Sequence, residues 1–170
     1  MNLIVAVDKN WGIGKDNDLL ISIPEDMEYF KEKTMGKVVI MGKNTLESFP
    51  GAKPLKNRTN IVLALETDYL VDGATVVYTM DDFLKEAAKY PSEDVFVIGG
   101  GSIYRQMLEY CDTCYITYIE HSFDADTFIP NLDEMDEWYI AEESEKYNHN
   151  GMKYSFRTYK KKWKRILMLF

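Results

Sequence analysis

Asp94-Val95-Phe96-Val97-Ile98-Gly99-Gly100-Gly101-Ser102-Ile103-Tyr104-Arg105-Gln106-Met107-Leu108-Glu109 is the stretch from which the fold is read. Residues 94–98 read as a buried strand, because 95–98 are an apolar, largely β-branched run. Three glycines make the turn, residues 102–109 read as a helix, and residues 113–119 as the next strand. A strand, a tight turn, a helix and another strand make the repeating unit of a parallel α/β sheet.

The same rhythm extends outward. Residues 2–7 predict a buried strand, followed by a loop over 8–23 that contains Gly12 and Gly14. A loop of that length inside a compact domain reads as a functional lid. Pro24 suits the first turn of a helix running to about Thr34, with Glu25 and Asp26 near its positive end, Met27, Phe30 and Thr34 on one face, and Gly36 as its stop. Strands are predicted at 38–41, 61–65 and 75–78, and helices from Lys43 and over 81–90. Two further strands, 138–146 and 153–159, follow with no helix between them, which predicts an antiparallel edge on a mostly parallel sheet.

Composition narrows the function. The 170 residues suit one domain, and 46% hydrophobic with 28% charged residues is the balance of a globular chain. Twenty Lys and Arg against 28 Asp and Glu give a net charge of −8, which disfavours general binding to nucleic acid or anionic membranes. No apolar run approaches the ~20 residues of a membrane span. Residues 1–7 lack a basic leader and run into Asp8, unlike a signal peptide, so a cytoplasmic location is expected. Cys111 and Cys114 stand at C-x-x-C spacing, and two buried structural thiols are preferred over a redox pair. His121 and His149 have no neighbours at metal-ligand spacing, and no metal is assigned. Lys160 to Arg165 place five cations before the apolar residues 166–170. The domain is read as 1–162, with 163–170 outside its core as a mobile tail or an added extension, in preference to a membrane or partner contact.

Three places could carry chemistry. The Gly99 to Tyr104 turn lies where backbone N–H groups can receive phosphate. It is neither a G-x-G-x-x-G fingerprint, because Tyr104 takes the last glycine position, nor a P-loop. Met41-Gly42-Lys43-Asn44-Thr45 is a second strand-to-helix turn, with a lysine for phosphate. Two such turns leave open a dinucleotide site beside the plain reading of tight turns. Asp26 sits at the edge of an apolar helix face, where a carboxylate needs a partner, or else it is an exposed acid stabilised by the helix dipole.

Five separated segments then carry a resemblance. They are Ile4-Val5-Ala6 with Gly12 to Asn17; Ile23 to Met27 with Tyr29-Phe30-Lys31; Val39 to Phe49; Pro54-Leu55 with Asn57 to Ile61; and Val97 to Tyr104 with Tyr115-Ile116-Thr117 and Asp126-Thr127. In order and spacing the chain resembles dihydrofolate reductase, of the bacterial chromosomal type, over residues 1–160. The resemblance implies a central eight-stranded mixed, mostly parallel sheet flanked by four helices. It also implies NADPH-dependent reduction of 7,8-dihydrofolate to tetrahydrofolate, in the service of one-carbon and thymidylate metabolism.

By the same resemblance Asp26 would bind the pterin amino group and ring N–H in a bidentate geometry and favour protonation at N5, with the proton coming from water. Thr117 would orient Asp26, and Leu19 would act from the lid. Arg58 would hold the substrate's glutamate α-carboxylate. Ile4, Val5, Met27, Phe30, Phe49, Lys53 and Leu55 would complete the substrate site. Lys43, Asn44 and Thr45 would face the 2′-phosphate and pyrophosphate, with Ala64 and Leu65 beside them. Ile98, Gly99, Gly100, Gly101, Ser102, Ile103 and Tyr104 would face the pyrophosphate and nicotinamide, with a cis Gly99-Gly100 bond. Ala6, Ile13, Gly14, Asn17 and Leu19 would lie on the nicotinamide side, and Asp126 would pair with the lid near Gly14. Implied partners are dihydrofolate and antifolate inhibitors, with no nucleic acid and no membrane, on a monomer.

Two positions depart from the family pattern. Leu20-Ile21 stand where the family usually has Pro-Trp, so the indole donor that would anchor water near the pterin is missing. Leu65-Glu66 stand where many members have a polar or basic residue beside the 2′-phosphate, which leaves Lys43 as the main reader of that group. A pteridine or pyrimidine reductase on the same fold is the alternative enzyme, and a catalytically idle folate- or nucleotide-binding protein the alternative class.

Overall fold

The computed structural model describes residues 1–162, so the 163–170 segment and the expectation of a tail there lie outside the described residues. In chain order the elements are β1 (Asn2–Val7), β2 (Gly12–Lys15), β3 (Asp18–Leu19), α1 (Pro24–Thr34), β4 (Val38–Gly42), α2 (Lys43–Glu47), β5 (Thr59–Leu63), β6 (Thr75–Val77), α3 (Met80–Ala87), β7 (Val95–Gly99), α4 (Gly101–Met107), β8 (Thr113–Ile119), β9 (Thr127–Phe128), β10 (Trp138–Glu143), β11 (Tyr147–His149) and β12 (Met152–Lys161).

Eight strands form the predicted mixed sheet, in the order β10-β12-β8-β1-β7-β4-β5-β6, and β11 adds a ninth by pairing with β12. From β8 across to β6 every neighbouring pair is parallel. β12 runs antiparallel to both β8 and β10, which makes the expected antiparallel edge. The buried runs alternate faces with period two, as strands must. Leu3, Val7, Ile40, Ile61, Val97 and Ile116 pack on one side of the sheet. Ile4, Val39, Met41, Val62, Phe96 and Ile98 pack on the other.

The differences from the sequence reading have local causes. Residues 8–23 are not one loop: β2 pairs with β3 on one side and with β9 on the other in a small three-stranded sheet. Asp16 and Asn17, with φ of 50° and 61°, close the β2–β3 hairpin, the left-handed pair that a two-residue hairpin turn requires. Asn150-Gly151 closes the overlooked β11–β12 hairpin in the same way, which ends β10 at Glu143 instead of residue 146. β5 starts earlier and ends at Leu63, leaving Ala64 and Leu65 beyond it. α3 begins at Met80 because Thr79 caps it, its hydroxyl accepting from the Asp82 N–H at 3.1 Å.

Cys111 and Cys114 are both free and buried. Burial pushes the Cys111 thiol up to about 12 and raises Cys114 as well, the chemistry of structural thiols and not of a redox pair. Among the described residues, no group of His, Cys, Asp and Glu could hold a metal ion, and no helix is long and apolar enough to cross a membrane.

Candidate active site

The carboxyl ends of the parallel strands meet where the order reverses, with β1 flanked by β8 and β7, and crevices at such switch points are where open α/β sheets take ligands. α1 starts above this point. Pro24 sets its first turn, and Asp26 follows, directed at the middle of β8. There the Thr117 hydroxyl donates to Asp26 Oδ1 at 2.5 Å. Burial lifts the Asp26 carboxyl above the ordinary carboxylate value, and the Thr117 bond pulls back part of that rise. Of the two readings open for Asp26, the partnered carboxylate at an apolar edge is the one observed.

Register fixes what shares this face. Thr117 pairs with Ala6, and Tyr115 with Ile4, so Thr117, Ala6 and Ile4 lie on one side of the sheet. Ile4 and Ile98 belong to the same apolar cluster, against which Phe30, Phe49 and Leu55 pack. Five of the predicted substrate residues and cofactor neighbours therefore converge beneath α1. Val5 points the other way, packing with the opposite core, so only its main chain faces the site. Met27 is 56% exposed, and its sulfur accepts from the Ser22 hydroxyl at 3.3 Å. Lys53 is exposed at the end of a short 3-10 turn. Arg58 is half-buried, and its fork is pinned by Nε to the Lys56 carbonyl at 2.9 Å and Nη1 to Thr34 Oγ1 at 3.2 Å.

The two glycine turns adjoin because β4 pairs with β7, Met41 lying opposite Gly99. The Gly99-Gly100 peptide is cis, as expected. A side chain at Gly99 or Gly100 would meet Thr45 Oγ1 at 3.2 or 3.4 Å, and one at Gly42 would meet Ile103 at 3.1 Å. Gly101 is tighter still: a Cβ there would lie 2.5 Å from Thr127. No side chain caps the first turn of α4 or α2, so their leading N–H groups are free for an anion. This narrow, donor-rich cradle with Lys43 at its rim fits the pyrophosphate and 2′-phosphate of NADPH. Ser102 and Asn44 lie exposed at the helix starts, while Ile103 is buried. Tyr104 is buried too, and its hydroxyl donates to the Ile4 carbonyl at 2.8 Å, so it braces the wall between the two halves of the site.

Above the cradle lies the 8–23 segment. Asp126 joins it as expected, accepting from the Asp16 N–H at 3.0 Å while its own N–H donates to the Gly14 carbonyl at 3.0 Å. Lys15 pairs with Asp124. Leu19 is 66% exposed and Asn17 exposed at the hairpin turn. Leu19, Leu20, Ile21 and Ile13 close over Ala6, Val7 and Ile119 around a cavity of about 10 Å³, and every residue lining it is apolar. Ala64 is buried, and Leu65, 86% exposed, projects from the loop after β5. A wider groove of about 310 Å³ lies between α1 and the β10–β12 edge, lined by Tyr29, Lys33, Glu143 and Phe156 among others, and contains none of the predicted site residues.

One carboxylate escaped the sequence reading. Asp8 is fully buried, yet its Oδ1 accepts from the Asn10 and Gly12 N–H groups at 2.9 and 2.8 Å, and its Oδ2 from the Phe123 N–H at 3.0 Å. It ties the base of the lid to the β8–β9 connection. The only hint in sequence is an acid ending an apolar strand four residues before a glycine, which by itself reads as a loop start.

Residues 1–161 match the dihydrofolate reductase family model. The chain is 40% identical to the dihydrofolate reductase of Bacillus subtilis over 164 residues, covering 95% of each. It is 37% identical to that of Haemophilus influenzae, covering 86% of this chain and 92% of the relative. A solved structure, the Enterococcus faecalis dihydrofolate reductase complexed with NADP(H) and RAB-propyl, superposes with a TM-score of 0.83 at 32% identity, covering 94% of this chain and 95% of the other.

Proposed function

The chain belongs to the dihydrofolate reductase family, and from that membership we propose how its own residues carry the reaction. It is an NADP-dependent oxidoreductase that reduces 7,8-dihydrofolate to 5,6,7,8-tetrahydrofolate. NADPH, when bound, supplies the hydride. The work of the chain is to bind, orient and polarise.

Asp26 accepts two hydrogen bonds from the pterin, one from its amino group and one from its ring N–H, a pairing that a carboxylate satisfies and an amide does not. Thr117 holds the carboxylate in that plane. The negative charge favours a proton on N5, which makes the neighbouring carbon the better hydride acceptor. Phe30, Phe49 and Leu55 pack the pterin and aminobenzoyl rings. Arg58 takes the glutamate α-carboxylate with the part of its fork that Lys56 and Thr34 leave free. Lys43 and Thr45, with the Gly99–Gly101 turn, hold the phosphates, and the lid over Ala6 keeps bulk water from the reacting carbons. We further propose that the protein works in the cytoplasm as a monomeric antifolate target, with residues 1–162 as its whole catalytic domain.

The observation that carries this reading is the half-buried Asp26 carboxylate on Thr117, facing the same side of the sheet as the Phe30 and Phe49 cluster, with β1 alone between its strand and the glycine turn. The test mixes the protein with NADPH and dihydrofolate and follows NADPH absorbance. Turnover with dihydrofolate is expected. Turnover with another pteridine or pyrimidine only, or binding without turnover, would overturn it.

A further inference from the structure

Lys43 is not free in this chain. Parallel pairing of β4 with β5 sets Gly42 beside Leu63, so the residue after each strand, and the loop beyond, come side by side. The Lys43 ammonium lies 3.2 Å from Glu66 Oε1 and 3.9 Å from Glu47 Oε1, and 4.6 Å above the Tyr69 ring. The loop that delivers Glu66 is itself fastened: Tyr69 N–H donates to the Glu66 carbonyl at 3.1 Å, and the Tyr78 hydroxyl to the Tyr69 carbonyl at 2.8 Å. Beside this pair the side chains of Ala64 and Leu65 offer no hydroxyl or amide that could take up a phosphate oxygen.

We propose that Glu66 is a specificity-determining residue of the cofactor site, a built-in anion on Lys43 that a 2′-phosphate must displace. The inference rests on the assignment of Lys43 to that phosphate. The ion pair satisfies Lys43 in the free protein, so the 2′-phosphate exchanges one anion for another and then meets the repulsion of the displaced carboxylate. A nucleotide without the phosphate leaves the pair intact. Discrimination between NADPH and NADH is thereby compressed, and Glu66 sets by how much.

The test measures binding in the absence of chemistry, by calorimetry with 2′,5′-adenosine bisphosphate and with 5′-AMP as probes. Glu66→Gln keeps the shape and removes the charge. It is expected to tighten the bisphosphate about five- to tenfold at low salt, the scale of one unit charge a few ångströms away near a wet surface, and to leave 5′-AMP within twofold. The gain should shrink as salt is raised, since the groups are exposed to screening. Lys43→Ala is the companion, expected to weaken the bisphosphate and not 5′-AMP. If Lys43→Ala behaves so while Glu66→Gln changes neither probe, or both equally, the proposal is overturned and the cofactor assignment stands. If Lys43→Ala weakens both probes alike, the assignment has failed and the proposal falls with it.

Discussion

Arg58 Nη1 donates to Thr34 Oγ1 at 3.2 Å, and the same hydroxyl donates onward to the Phe30 carbonyl at 2.8 Å. The cation assigned to the far end of the substrate is thus tied to α1, the helix that carries Asp26 at its other end. Thr34 is fully buried, so Thr34→Val keeps its volume and removes the link. One hydrogen bond of this kind corresponds to a KM for dihydrofolate raised about three- to tenfold, with kcat nearly unchanged because Arg58 stands away from the reacting ring. A dihydropteridine lacking the glutamate should be indifferent to the change. Equal losses for both substrates would mean that Thr34 serves the helix and not Arg58.

Asp26→Asn should fold and lose roughly 10²- to 10⁴-fold in turnover at neutral pH, the usual range for an acid–base contribution, with partial recovery at low pH where the substrate protonates unaided. Its stability should move the opposite way. The folded carboxyl titrates above its unfolded value of 3.8, so the fold favours the neutral form. That preference is fully present below 3.8 and is lost as pH rises through the raised folded value. The wild type therefore carries a penalty at pH 7 that the amide does not, and Asp26→Asn should melt higher there and equally at pH 3. A lower Tm at pH 7 would show that the carboxylate stabilises the fold.

Strands were legible where burial on both faces leaves an apolar run, as in β1, β4, β7 and β8. The β2–β3 and β11–β12 hairpins were not, because strands of two to four exposed or glycine-rich residues carry no alternation, although Asn150-Gly151 is a hairpin signal in its own right. Within the site each reading depended on distance along the chain. Asp26 and Thr117 are 91 residues apart, and only the β1–β8 register brings the helix start over that hydroxyl. Glu66 reads only as a departure from a polar or basic position, and its ion pair with Lys43 depends on where β5 ends, two residues short of the predicted strand. Thr34 reads as part of an apolar face, since its hydroxyl partners come from a neighbouring turn and a distant loop.

Asp8→Ala should separate lid anchoring from chemistry. Removing the carboxylate leaves three backbone N–H groups at the lid base without their acceptor, and a single buried donor so stranded costs about 1–3 kcal/mol. A loss on the order of 3 kcal/mol is expected, read by urea denaturation. Asp8→Asn keeps one acceptor and should fall between the two. Amide exchange at Gly12 and Phe123 should quicken in both variants, before exchange in the β1–β8 core does. Unchanged exchange at those two amides would remove Asp8 as the tie.

Ile21 is where structure and sequence give opposite expectations. From sequence, Ile21→Trp restores an indole donor and should tighten dihydrofolate by about 1 kcal/mol, the net worth of one hydrogen bond. In the structure Ile21 packs with Ile23, Ile119 and Tyr154 and helps to close a cavity of about 10 Å³. The lining residues offer no polar side chain to hold a water, and a cavity of this size leaves no room for an indole. The larger ring must displace Leu19 or Leu20, and overpacking of this kind costs ~1–3 kcal/mol. The expected outcome is therefore a Tm lower by several degrees and weaker dihydrofolate binding. An Ile21→Trp variant that melts as high as wild type and binds dihydrofolate more tightly would show that the pocket still has room for the ring, and that the lid closes less tightly over Ala6 than the packing indicates.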